Sequence, residues 1–246
     1  MVVRAERLLF ITTSVSNLGD GKPTDTGLWL QSLAEPYYLF QKKGYITEIA
    51  SLKGGSAPVD RHSTQPPHNR HPMVKRFLND REALVQLENC TPVAFINPER
   101  YSAIFITDGH AIAADAPYSR ELQRLVSQAF AEKKVVAAVG YGVSALLNAK
   151  ILDAKHPQAG MSILYGKQVT GYSNAEAEAS GFGADHPFPL EDKIEAAGGE
   201  YTRGSRNEGP FANRAGLIIT GQNVASALQV AELVVEALSY GVRLTP

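Results

Sequence analysis

Length, composition and charge already exclude several classes of protein. The chain has 246 residues, of which 44% are hydrophobic and 20% charged, as is typical of a globular protein large enough to bury a core. Its 24 basic and 25 acidic residues leave a formal net charge of -1, so we expect no nucleic-acid partner. No apolar run reaches about 18 residues, so we expect no membrane span. With a single cysteine and no secretory-signal core at the N-terminus, a cytoplasmic protein is expected.

The first third of the chain predicts two strands, one helix and a long insertion. Residues 7–14 form a short apolar run that ends in small polar residues, which predicts a buried strand, and residues 45–52 alternate as a second strand does. Between them, residues 28–44 show helical periodicity that Pro36 would bend or interrupt. Residues 53–76 carry four prolines and no period, which predicts an irregular, lid-like insertion in an otherwise single domain spanning 1–246.

The remaining elements alternate between apolar strands and amphipathic helices. Short apolar strands joined by helices indicate a parallel sheet covered on both faces, in a flavodoxin-like α/β sandwich. The predicted strands cover residues 101–110, 135–139 and 215–221, and the predicted helices cover 119–134, 142–150, 189–201 and 223–241.

Two sharp corners fall where predicted strands end. "TDGH" follows Ile106, and "GYG" follows Val139 and leads directly into an apolar helix. Ligands of open α/β sheets bind at the carboxyl ends of the strands. We therefore expect these two corners to share one pocket.

Six stretches in order along the chain resemble the ThiJ/PfpI superfamily, whose fold is that of class I glutamine amidotransferases. The resemblance is strongest to its branch of heat-shock chaperones and glutathione-independent glyoxalases, and it covers nearly the full length. The stretches are "TGLWLQSLAEPYYLFQKKGY" (26–45), "SLKGGSAPVD" (51–60), "RYSAIFITDGHA" (100–111), "GKQVTGYSNAE" (166–176), "PFPLEDKIEAAGGEY" (187–201) and "LIITGQNVASA" (217–227).

The resemblance implies a cysteine nucleophile at the strand-to-helix elbow, a histidine immediately after it and a glutamate from the first helix. This sequence departs from that pattern at all three positions, which hold Gly140, Tyr141 and Ser32. Cys90 precedes the third predicted strand and lies away from any predicted strand end, so it does not replace the missing thiol. Glycine accepts a positive φ without steric cost, so we expect the turn to persist without the reactive group.

Several polar groups remain as candidates in the pocket. Asp108, His110 and Tyr141 are predicted as acid–base groups, with the alternatives that His110 only bonds the adjacent loop and that Tyr141 only fills space. The backbone N–H groups of the two corners are predicted to cradle a ligand carbonyl or carboxylate, although the charge of Asp108 would oppose an anion unless it is protonated or paired. The predicted ligand contacts are Ser32, Glu35, Gly109, Asp115 and Gly140, with a brace for the following helix as the alternative for Asp115.

These residues leave three functions open. The first is a protein without cysteine chemistry that binds a small carbonyl or carboxylate metabolite and either acts on it by acid–base, lyase- or hydratase-type chemistry or only senses it. The second is the family-typical glyoxalase or deglycase activity, and the third is a non-catalytic, holdase-like stress protein. The family resemblance implies a homodimer, and no cofactor or metal is expected, because His62, His68 and His71 match no ligand spacing.

Overall fold

A computed structural model describes residues 5–18, 25–179, 188–207 and 209–239. Within these ranges nine strands are found: β1 (Arg7–Thr12), β2 (Ile46–Ser51), β3 (Thr91–Pro92), β4 (Ala103–Ile106), β5 (Val135–Val139), β6 (Gln168–Val169), β7 (Glu200–Tyr201), β8 (Ala212–Ala215) and β9 (Ile218–Gly221). Seven of them form one sheet in the order β3-β2-β1-β4-β5-β9-β8, and β6 pairs with β7. All neighbours in the large sheet are parallel except β8 and β9. The predicted α/β class is confirmed.

Helices cover both faces of the large sheet. Because side chains alternate along a strand, Leu9 and Ile11 of β1 join one core, whereas Leu8 and Phe10 join the other. The helices that pack around these cores or cap the sheet are α1 (Leu30–Lys42), α2 (Pro72–Leu78), α3 (Arg81–Glu88), α4 (Ile112–Asp115), α5 (Arg120–Ala131), α6 (Asn174–Ala179), α7 (Leu190–Ala196) and α8 (Ala227–Ser239).

Two local features differ from what the sequence predicts. The helix α1 runs through Pro36 without interruption, because its apolar face, which includes Pro36, is buried against the sheet and α8. Residues 53–76 are ordered rather than irregular. They contain short 3₁₀ helices at Arg61–Thr64 and His68–Arg70 and the beginning of α2, because side chains such as Asp60 cap these turns.

The inserted segment packs on α1. Phe77 of α2 lies edge-on to the rings of Tyr37 and Tyr38, at centroid distances of 5.6 and 6.3 Å. The His68 and Trp29 rings meet at 4.9 Å. A role as a lid stays a prediction. In the part of the chain that the structure describes, no helix is long and apolar enough to cross a membrane.

Candidate functional site

The elbow lies at the carboxyl end of β5, where the chain turns from Val139 into a 3₁₀ helix, Gly140–Leu146. Every residue of this helix is buried. Gly140 has a φ of +54°, a left-handed conformation that L side chains rarely adopt. The predicted glycine turn is therefore present, although the helix after it is of the 3₁₀ type.

A second constraint on Gly140 comes from Asp108, which follows β4. A Cβ atom at position 140 would lie 2.2 Å from Asp108 Oδ1 and 2.3 Å from Oδ2, closer than real Cβ atoms approach. The Asp108 carboxylate thus fills the space into which a side chain at the elbow would begin to grow. Gly140 is required both by its backbone conformation and by this neighbour.

The Asp108 carboxylate also accepts hydrogen bonds from backbone amides of both corners. Its Oδ1 accepts hydrogen bonds from the N–H of Gly109 at 2.8 Å and from the N–H of Tyr141 at 2.9 Å. The cradle that the sequence predicts for a ligand carbonyl or carboxylate is therefore occupied by a side chain of the protein. This arrangement corrects the expectation that these N–H groups and Gly109 face a ligand directly. We call Asp108, Gly109, Gly140 and Tyr141 the elbow corner.

Ser32 holds Asp108 in this position. The Asp108 N–H donates to Ser32 Oγ at 2.9 Å, and the Ser32 hydroxyl lies 2.8 Å from the Trp29 carbonyl oxygen, to which it donates. The Trp29 N–H in turn donates to the Asp108 carbonyl at 2.9 Å. Ser32 is fully buried and the structure gives it a positioning role, while a contact to a ligand stays a prediction.

Burial raises the pKa of Asp108 to about 6. The two amide hydrogen bonds oppose this shift, and the negative charge of Glu176 adds to it. Asp108 as a whole residue is 8% exposed and therefore buried. A carboxyl group with this pKa is mostly ionised at neutral pH and is still basic enough to accept a proton from a substrate.

Glu176 of α6 belongs to the same end of the sheet and was not singled out from the sequence. Its Oε2 accepts hydrogen bonds from the Ser173 hydroxyl at 2.8 Å and from Gln222 Nε2 at 2.9 Å, and its Oε1 accepts from Asn223 Nδ2 at 2.6 Å. Gln222 and Asn223 directly follow β9. Polar residues directly after a buried strand are a sequence signal for such a site, and Gln222 and Asn223 carry this signal after β9.

Three aromatic rings line the side of the elbow corner. His110 lies 5.5 Å from Tyr141 and 5.8 Å from Tyr172 between ring centroids, and the two tyrosine rings lie 5.0 Å apart. Tyr141 is buried, whereas His110 and Tyr172 are partly exposed. Burial, the Tyr172 hydroxyl and the charge of Asp108 raise the pKa of Tyr141, so its hydroxyl stays protonated and can donate a hydrogen bond. The predicted trio of Asp108, His110 and Tyr141 is thus brought together.

Glu35 faces the inserted segment. Its Oε1 lies 3.0 Å from Nε2 of His71, and His71 Nδ1 accepts the Met73 N–H, so the Nε2 proton points at Glu35. Burial raises the pKa of Glu35, and His71 and Gln31 oppose that shift. The pairing differs from the predicted ligand contact, because it fixes α1 to the start of α2.

Asp115 braces the chain after β1. Its Oδ2 accepts hydrogen bonds from the Thr13 hydroxyl and the Ser14 N–H, both at 2.8 Å. Burial raises its pKa to about 6 against these two bonds. The sequence predicts Asp115 as a ligand contact or a helix brace; the structure shows a brace to the loop after β1, and the ligand contact stays a prediction.

Cys90 lies apart from the elbow corner. It is buried, its Sγ contacts the Leu87 carbonyl at 3.3 Å, and its backbone pairs with Gly55. Burial raises the pKa of this thiol to about 11, so it is not a nucleophile at neutral pH. The described residues hold no group of three His, Cys, Asp or Glu side chains that could bind a metal.

Known proteins resemble this chain over most of its length. The glutathione-independent glyoxalase hsp3101 of Schizosaccharomyces pombe is 30% identical over 217 residues, which cover 86% of this chain and 87% of that protein. Glyoxalase 3 of Candida albicans is 28% identical and covers 89% of this chain and 91% of its own. No family model matches the chain.

Solved structures show the same likeness in three dimensions. The rapid encystment protein of Francisella tularensis, of 24 kDa, superposes with a TM-score of 0.86 at 32% identity over 95% of this chain and 99% of its own. Glyoxalase III of Candida albicans has a TM-score of 0.84 at 25% identity over 94% and 97%. A ThiJ/PfpI domain protein of Brachyspira murdochii, at 18% identity and a TM-score of 0.61 over 97% and 99%, shares the fold.

The sheet and its helices therefore define a ThiJ/PfpI-type α/β domain. Within this class, the chain belongs to the family of glutathione-independent glyoxalases.

Proposed function

We propose that the protein acts on a small 2-oxoaldehyde at the elbow corner and does so by acid–base chemistry without a thiol. The observation that carries the proposal is the Asp108 carboxylate, which stands against Gly140 where the elbow of the resembling family would present its nucleophile. The names of the relatives supply the substrate class, because several of them are glyoxalases.

The charge of the corner favours a carbonyl over a carboxylate ligand. Both corner N–H groups already bond Asp108, and the ionised Asp108 and the nearby Glu176 would repel an anion. A neutral carbonyl compound meets no such repulsion and can accept hydrogen bonds from the side chains of the ring cluster, His110, Tyr141 and Tyr172.

Incubation with methylglyoxal tests this function. We expect the purified protein to form lactate, measured by an enzyme-coupled assay, and its Cys90→Ala variant to do so equally. Equal activity of a heat-denatured sample would overturn the proposal, because buffer-catalysed conversion would then explain the lactate. The complete absence of lactate would overturn it as well.

A non-catalytic, holdase-like role is the second candidate. Large apolar side chains stand exposed on the described surface, with Phe95 80% and Tyr118 71% exposed. Suppression of client aggregation by a protein that forms no lactate would favour this role. The homodimer implied by the resemblance stays a prediction, and sedimentation velocity of the full chain tests it.

A further inference from the structure

We propose that Asp108 is the general base that moves a carbon-bound proton, and that its substrate is the hydrated form of the 2-oxoaldehyde. This inference rests on the proposed function and specifies its chemistry. It replaces a covalent thiol adduct by an adduct with water, which aldehydes of this class form spontaneously.

The first argument is the orientation of the carboxylate. Oδ1 is fixed by two amide N–H groups, and the Asp108 N–H is fixed by Ser32. Among the described residues, no hydrogen bond is found to Oδ2, so that oxygen keeps its lone pairs for a substrate. A base held in one geometry before the substrate arrives loses little entropy in the reaction.

The second argument is the absence of room for a covalent route. Because the carboxylate lies within 2.3 Å of any Cβ at position 140, a nucleophilic side chain on the elbow and Asp108 in its present place exclude each other. Cys90 is buried elsewhere and is protonated at neutral pH. Any covalent adduct of the aldehyde therefore has to form with water or with the carboxylate itself, and not with a thiol of the elbow or of Cys90.

When the substrate is the hydrate, a single base can move the proton from C1 to C2. In the hydrate, C1 carries one hydrogen and two hydroxyl groups, and C2 carries the ketone oxygen. Asp108 takes the C1 proton, the electron pair forms a C1–C2 double bond, and the ketone oxygen becomes negative. Asp108 then returns the proton to C2, which leaves a positive charge on C1 with its two hydroxyl groups.

The last step moves a proton from one oxygen of the substrate to another. One C1 hydroxyl proton passes to the C2 oxygen through the Tyr141 hydroxyl, which donates one proton and accepts another. The product is a 2-hydroxy acid, C1 has been oxidised and C2 reduced, and no external oxidant or reductant takes part. Tyr141 suits this relay because burial raises the pKa of its hydroxyl, which therefore has a proton to donate, and because the residue belongs to the elbow corner.

The charged and titratable groups around Asp108 predict the pH dependence. Glu176, Tyr141 and His110 face or flank the carboxylate, and burial with the Glu176 charge places its pKa near 6. The base form is the active one, so kcat/KM should rise as the pH increases through about 6 and then level off.

The test follows deuterium in methylglyoxal labelled at C1. Transfer through Asp108 predicts a primary isotope effect and lactate that has partly exchanged its label with solvent. Lactate that retains all of its deuterium at C2 would overturn the inference, because a direct hydride shift would then operate. This measurement uses the unmodified protein.

A variant pair isolates the base. Asp108→Asn keeps an oxygen that can accept both N–H bonds but removes the basic oxygen, so kcat should fall by about 100-fold or more with little change in KM. Glu48→Gln is the matched control, because it removes a carboxylate bonded to Arg7 and Tyr101, away from the elbow corner, and should leave kcat unchanged. Full activity of Asp108→Asn would overturn the base assignment while leaving the proposed function intact. Inactivity of the wild-type protein would overturn both.

Discussion

Asp108 and Asp115 are two carboxyl groups after the same strand, β4, the first buried and the second half-buried. Desolvation raises the pKa of each to about 6. Their hydrogen bonds differ. The Oδ1 atom of Asp108 accepts two N–H groups from the elbow corner, whereas Oδ2 of Asp115 accepts the Thr13 hydroxyl and the Ser14 N–H. Asp108 stands against the elbow, and Asp115 ties two strand ends together. A raised pKa therefore does not distinguish a reactive carboxyl group from a bracing one, and the geometry around it does.

The largest expected effect comes from adding a Cβ at the elbow. Gly140→Ala should destabilise the protein by about 3–5 kcal/mol, because the new atom would overlap the buried Asp108 carboxylate. Urea unfolding followed by circular dichroism measures the change. Gly55→Ala is the control, since Gly55 also has a positive φ, +75°, but open space around it, so that it should cost about 1 kcal/mol.

The double variant Asp108→Gly with Gly140→Ala shows whether the carboxylate is the cause. Removal of the carboxylate should recover about 1–3 kcal/mol of the loss as a coupling energy between the two positions. Simple addition of the two single effects would show that the strained φ, and not Asp108, makes glycine necessary there.

The second effect concerns stability as a function of pH. The folded-state pKa of Asp108 lies above its ordinary value of 3.8, so its contribution to stability is complete below that pH and is lost as the pH rises through about 6. A shift of this size corresponds to about 3 kcal/mol. Asp108→Asn should therefore be more stable than the wild type at pH 8, by about 1–3 kcal/mol, and should show no such gain near pH 4. Thermal unfolding across this range checks the prediction, and a gain that is equal at both pH values would contradict it.

Asp115→Asn should behave differently and on a smaller scale. Its Oδ1 is buried without a hydrogen-bond partner among the described residues, so an amide nitrogen placed there would lose its hydration. We expect a loss of about 1–2 kcal/mol at pH 5 and a difference near zero at pH 8, where the ionised wild-type carboxylate is itself unfavourable. The same unfolding series measures it, and a stabilisation equal to that of Asp108→Asn would remove the contrast between the two groups.

The smallest expected effect belongs to Cys90. A rise in pKa from 9.0 to about 11 lowers the thiolate fraction at pH 8 by about 100-fold, so a disulfide reagent should react at least that much more slowly with the native protein than with the unfolded one. Absorbance of the released thiol follows the reaction. Rapid modification of the native protein would show that the thiol is exposed and has to be considered as a reactive group.

Much of the fold could be predicted from the pattern of apolar residues. The strand at 135–139 is found at those bounds, and the predicted helix at 119–134 corresponds to Arg120–Ala131. The short strands β3 and β8 were missed, because two to four residues carry too little periodicity to signal a strand. The inserted segment at 53–76 differs from the predicted irregular structure for another reason. Its turns depend on side-chain caps and on packing against α1, which a local sequence pattern does not show.

Only part of the candidate site could be predicted from the sequence. Strand ends pointed to Asp108, His110 and Tyr141, which the structure brings together. The sequence could not show that the Asp108 carboxylate accepts the N–H groups of the predicted cradle. That contact depends on how the carboxyl ends of β4 and β5 align with each other in the sheet. Glu176 and its adjacent partners Gln222 and Asn223 come from two distant parts of the chain, so no local spacing could have joined them.

By itself, the sequence determined the α/β class, the two strand-end corners and the presence of glycine instead of a side chain at the elbow, because these follow from periodicity and residue identity. Only the tertiary structure decided what fills the space beside Gly140. The position of a carboxylate relative to a Cβ depends on how neighbouring strands align, and that alignment is fixed by packing across the whole sheet. Gly140 and Asp108 are 32 positions apart along the chain, yet the position of the Asp108 carboxylate is one reason why residue 140 has to be glycine.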